Sequence, residues 1–180
     1  MKIVARIFGI ITILFALLTC SVSIYSAGVH KEKTEKELIE ARQQMDEFKA
    51  QAATTSGETK AYLDEKIATA EKMISEAPSG STYLIVQIFL AVLLVLTIVF
   101  AYLLFKPNMS LVTKLVVAAV LVAVIVYFAS PDIKRGQHSG FEDRTFALIS
   151  GIPVVVAGLF ALLVAKKSRA NQVNTNLQPQ

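Results

Sequence analysis

Residues 83–105 read YLIVQIFLAVLLVLTIVFAYLLF, 23 positions without one charged side chain. A helix of that length rises ~35 Å, and the hydrocarbon core of a bilayer is ~30 Å thick. Working outward, three more stretches approach the same length. Leu111 to Ala129 follows, with Lys114 one turn inside its start. Thr145 to Ala165 (TFALISGIPVVVAGLFALLVA) is uncharged. Towards the N-terminus, Ile3 to Ser26 is interrupted only by Arg6. Soluble cores rarely hold helices that are apolar all round for so long. The sequence therefore predicts an all-α integral membrane protein with four transmembrane helices.

The first stretch also admits a rival reading. Lys2 and Arg6 ahead of Ile7–Leu18 resemble a signal peptide, and Ser21-Val22-Ser23 resembles its cleavage site. Leu17-Leu18-Thr19-Cys20 only approaches a lipoprotein box, because Thr stands where a small residue belongs. A retained anchor over residues 1–27 is the expectation adopted.

Composition agrees. The chain has 180 residues, 54% of them hydrophobic and 18% charged, and its mean hydropathy is +0.55. A soluble domain carries about 25% charge. An ordinary water-soluble enzyme is excluded. A single Cys excludes a disulfide scaffold or a CxxC metal site.

Charge is distributed unevenly along the chain. Lys2, Arg6, Lys106, Lys114, Lys166, Lys167 and Arg169 flank the spans on one side, with no acidic residue among them. The other side takes the remaining 11 Lys and Arg and all 14 Asp and Glu. Lys and Arg in short flanks resist translocation. Both termini are expected in the cytoplasm, in a plasma membrane of the bacterial inner type. The pI near 9.2 is then a topology signal, and nucleic acid is not expected as a partner.

Residues 28–82 are polar, with 8 basic and 11 acidic side chains. Their apolar positions fall at Leu38, Ala41, Met45, Phe48 and Ala52, and again at Leu63, Ile67, Ala70, Ile74 and Ala77. Spacings that alternate between three and four keep one stripe on one helix face. Gly57 supplies a turn between the two runs, and Thr55 with Glu58 fits a capping box. Pro78-Ser79-Gly80 ends the second helix. An extracytoplasmic antiparallel hairpin between transmembrane helices 1 and 2 is predicted. Leu38, Met45, Phe48, Leu63, Ile67 and Ile74 are its expected interaction residues. Surface ion pairs such as Glu32–Lys36 and Lys72–Glu76 would give only a solvated stalk.

Within the spans, Ala5, Gly9, Thr12, Ala16, Thr19, Ser23 and Ser26 form a seam of small residues. Ala147, Gly151, Val154, Gly158, Ala161 and Ala165 form a second. Membrane helices associate where small side chains let backbones approach. Gly9, Thr12, Ala16, Gly151, Gly158 and Ala161 are the expected packing positions. Pro153 should bend the last span, and Gln87 can bond across helices.

No ionisable side chain lies near the middle of a span, where one would mark a pathway or catalytic centre. The loop from Ser130 to Arg144 carries Asp132, His138, Glu142 and Asp143, and His30 follows the first span. Neither spacing nor count specifies a metal site there. No catalytic, cofactor or metal residue is assigned. The domains expected are residues 1–27 and 83–166 in the membrane, 28–82 as the hairpin, and 167–180 as a disordered cytoplasmic tail. The functional expectation is a non-catalytic accessory or scaffold subunit, with the lipid bilayer and other membrane subunits or a second copy as partners. A small homo-oligomeric channel or transporter, or a sensor hairpin without an output domain, stands behind it.

Overall fold

The computed structural model describes residues 2–131 and 143–176, and every element among them is an α-helix. They are α1 (Lys2–Thr54), α2 (Glu58–Glu76), α3 (Gly80–Phe105), α4 (Met109–Ala129) and α5 (Asp143–Asn176). Helices α1, α3, α4 and α5 are each long and apolar enough to cross a membrane.

The first helix does not end where its apolar stretch ends. It runs unbroken for 53 residues, about 80 Å at 1.5 Å per residue. No Pro occurs in that range, so nothing removes a backbone donor where the solvent changes. Its inner face is one line. Ala16, Cys20, Ser23, Ala27 and Thr34 are buried, and Leu38, Ala41, Met45 and Phe48 continue half-buried to buried Ala52. The small-residue seam and the apolar stripe thus belong to a single ridge.

After a turn at Gly57, where φ is +72°, α2 runs back along the second half of α1. Lys49 and Glu71 pair across the two helices at 2.8 Å, and Gly80 arrives beside Glu35 and Lys31. The capping box does not form. Gly57 is the N-cap of α2 and makes no side-chain cap. The Thr55 hydroxyl instead donates to the Gln51 carbonyl at 2.7 Å, serving the end of α1. Glu32–Lys36 and Lys72–Glu76 are both present, at 2.8 and 3.9 Å.

In the bundle, α1 packs on α3 and α5, and α4 packs on the other side of the same two helices. No contact joins α1 to α4 among the described residues. The core is centred on α3, where Tyr83, Leu90, Leu93, Phe100, Leu103 and Leu104 are fully buried. Helix α4 is the most peripheral member. Its buried residues are Val112, Ala119 and Val126, seven apart, so it meets the bundle along one narrow line. Pro153 lies buried inside α5. That helix continues to Asn176, across the start of the segment read as a disordered tail; residues 177–180 lie outside the described residues.

Candidate functional site

Five of the six expected transmembrane packing positions are buried within this chain's own bundle. Ala16 and Ala161 are fully buried, and Thr12 is half-buried with its hydroxyl returned to the Phe8 carbonyl at 2.8 Å. A Cβ on Gly9 would stand 3.0 Å from Leu104 and 3.3 Å from Phe160. One on Gly158 would stand 2.9 Å from both Phe100 and Val116, and one on Gly151 would stand 2.8 Å from the Ala123 Cβ. Close approach is what these positions provide, and α3, α4 and α5 consume it.

Polar side chains tie the bundle where the arm leaves it. Ser150 of α5 donates to the Ser23 hydroxyl of α1 at 2.7 Å, and its hydroxyl also approaches the Phe146 carbonyl at 2.9 Å. The Cys20 thiol reaches the Ser150 carbonyl at 3.9 Å. Gln87 of α3 donates to the Ile24 carbonyl at 3.2 Å, with Gly28 leaving room for its amide. One step beyond, the buried hydroxyls of Tyr83 and Thr34 share a hydrogen bond of 3.4 Å. At the opposite end Arg6 donates to the Leu104 carbonyl at 3.1 Å. A bilayer offers no water to such groups, so they find partners on neighbouring helices.

In the arm, the six expected interaction residues all lie on the face shared by α1 and α2. Leu63 is buried, and Leu38, Met45, Phe48, Ile67 and Ile74 are half-buried. Their outer edges remain open. Apolar surface also lies off this stripe: Ile39 is 56% exposed, Tyr62 58% and Met73 67%. The periodicity does not mark these three, although large apolar residues in a charged segment are themselves a signal. Ser150 and the Tyr83–Thr34 pair were missed as well, since Ser150 stands one position off its small-residue seam.

Electrostatics in the arm are local and solvent-screened. A hydrogen bond from Lys36 holds the Glu32 carboxyl below its usual range, and the same contact raises Lys36. The hydrogen bond to Glu71 raises the Lys49 ammonium. Among the described residues no group of three His, Cys, Asp or Glu could hold a metal ion. Asp132, His138 and Glu142 lie outside the described residues.

Comparison with protein families, with curated proteins and with solved structures yields no match.

Proposed function

We propose that this protein is a non-catalytic accessory or scaffold subunit of a membrane protein assembly, holding a helical docking arm at a fixed position above its bundle. The observation that carries this reading is the continuity of α1 from Lys2 to Thr54. The ridge that packs in the bundle and the ridge that receives α2 share one rod. A flexible tether would need a break, and none occurs there.

The charge asymmetry supports an arm on the extracytoplasmic side, with both termini in the cytoplasm of a plasma membrane. With the small-residue seams occupied inside the bundle, recognition falls to the arm. The open edges of Leu38, Met45, Phe48, Ile67 and Ile74, flanked by Ile39 and Met73, present apolar surface that a partner subunit would cover.

The test is co-purification in mild detergent. A stoichiometric unlike subunit that is retained by wild type and lost on Met73→Asp or Phe48→Asp supports the reading. Met73 is the cleaner probe, because its exposed side chain can change without opening the α1–α2 pair. A uniform homo-oligomer, or a full partner set retained by both variants, would overturn it.

A further inference from the structure

At the end of the bundle remote from the arm, an open cavity of about 760 Å³ collects cationic side chains from three separate elements. Arg6 comes from α1, Lys106 caps the C-terminus of α3, and Arg169 lies near the end of α5. Ser168 adds a hydroxyl, and Phe105 and Met109 supply an apolar wall.

Among the described residues the cluster has no internal anion. No ion pair joins Arg6, Lys106 or Arg169 to a carboxylate among the described residues. Among the described residues, the acidic side chains of 32–76 belong to the arm, away from this end. Arg6 is already aimed. Its Nε bonds the Leu104 carbonyl, and its guanidinium sits 5.9 Å from the Phe105 ring centre. That leaves both terminal nitrogens for a bidentate acceptor. The N-terminus of α4 faces the same space. Asn108 accepts from the Leu111 amide at 3.2 Å, and the positive end of a 21-residue helix adds to the field.

We propose that this cavity binds the phosphate headgroup of an anionic phospholipid. Arg6, Arg169 and Lys106, whose ammonium also lies 5.4 Å from the Tyr102 ring centre, line the cavity together with a helix N-terminus and suit a phosphodiester, whose charge is compact and whose oxygens accept in pairs. The location favours a lipid over a soluble phosphate. Arg6, Lys106 and Arg169 stand where their spans reach headgroup depth, and Phe105, 60% exposed, would lie against the first acyl carbons. The inference is independent of which side of the membrane this end faces and of whether the arm docks a partner.

The test uses the full protein in phosphatidylcholine vesicles containing spin-labelled phosphatidylglycerol or spin-labelled phosphatidylcholine. Electron spin resonance reads the relative association of the two labels. Because Arg6 also holds the Leu104 carbonyl, the cavity variant is Lys106→Gln with Arg169→Gln. The control, Lys166→Gln with Lys167→Gln, removes the same charge at the same end but outside the cavity. A cation in contact with the bound headgroup contributes a several-fold preference for anionic lipid, whereas one outside the cavity contributes only diffuse attraction that salt screens. The phosphatidylglycerol preference is expected to fall about fivefold or more in the cavity variant and by less than about twofold in the control. An equal fall in both pairs would mean diffuse surface attraction and overturn the proposal, as would the absence of any preference in wild type. Displacement of the labelled lipid by inorganic phosphate at constant ionic strength would give the site to a soluble phosphate and equally overturn the assignment.

Discussion

The hydroxyls of Ser150 and Ser23 meet at 2.7 Å across the α1–α5 interface, a direct polar bridge between two spans. A hydrogen bond between membrane helices contributes ~0.6 kcal/mol on average and up to ~1.7. Ser150→Ala should lower stability by about 1 kcal/mol, measured by unfolding in mixed detergent. Ser23→Ala added to it should cost little more, because the two share one bond. Thr113→Ala is the reference, since its exposed hydroxyl only returns to Met109 in its own helix. Additive losses for Ser23 and Ser150 would contradict a shared bond.

Two glycines predict opposite outcomes for the same change. An alanine at Gly151 would place its Cβ 2.8 Å from that of Ala123, on a neighbouring helix that must move to admit it. Overpacking of this kind costs about 1–3 kcal/mol. At Gly80 the new methyl meets the ends of the Glu35 and Lys31 side chains, which can swing into solvent. Gly151→Ala should therefore lower the thermal midpoint and weaken α4 packing, while Gly80→Ala stays near wild type. Equal midpoints for the two variants would show that the α4–α5 approach is looser than described.

Orientation is accessible through the lone Cys20, which is fully buried. In a Cys20→Ser background, single cysteines at Ser56 and Ser168 report the arm tip and the far end of α5. An impermeant maleimide should label position 56 in intact cells and position 168 only after lysis. A third cysteine at Ser139, outside the described residues, should behave like position 56. Labelling of position 168 from outside would reverse the proposed topology.

Lys49 and Glu71 should make the arm sensitive to alkali. The Lys49 ammonium is raised above its ordinary 10.5, chiefly by its hydrogen bond to Glu71. A raised amine stabilises the paired state fully below its unfolded value and loses that contribution as pH climbs through the folded one. At the acid end the lowered Glu32 behaves oppositely. Its contribution is present above the ordinary 4.5 and is lost as pH falls through the folded value. A spin label at position 56 should gain mobility above pH 10.5 in wild type, by a small amount because the pair is solvent-screened. Lys49→Gln should start more mobile and lose that alkaline step. An identical step in both would assign it to some other group.

Much of this architecture was legible because a bilayer imposes a length. A run such as 83–105 has few alternatives to a spanning helix, and the periodicity of Leu38 through Ala77 marks the apolar residues that α1 and α2 turn towards each other. The boundary at residue 28 was not legible. Polarity changes there, but backbone hydrogen bonding does not, and an amphipathic face can pass from lipid to water without a break. The Thr55–Glu58 cap failed for a local reason: the Thr55 hydroxyl donates to the Gln51 carbonyl at 2.7 Å, and the N-cap position of α2 falls to Gly57, which has no side chain to cap with. Cross-helix contacts such as Tyr83 with Thr34 join residues 49 positions apart, and no pattern within one helix encodes such a meeting. The basic cavity is of the same kind. Arg6, Lys106 and Arg169 read singly as flanking charges, and only the folding of three helices makes them neighbours.

The uninterrupted α1 has a mechanical consequence: the bundle and the arm are geared together. With about 25 residues beyond the last buried bundle contacts, a tilt of roughly 10° at the root would carry the arm tip about 6–7 Å sideways. Rotation is transmitted as directly as tilt. Each residue added to a helix advances its phase by about 100°. With the same number of residues added after Ala77 so that α2 still reaches α3, one alanine inserted after His30 should swing α2 onto a different side of the bundle axis, while seven should return it within about 20° of the original, one heptad further out. Partner retention that is lost with one inserted residue and recovered with seven would show that the partner reads the arm's angle. Retention at every insertion length would show that it reads only the arm's surface.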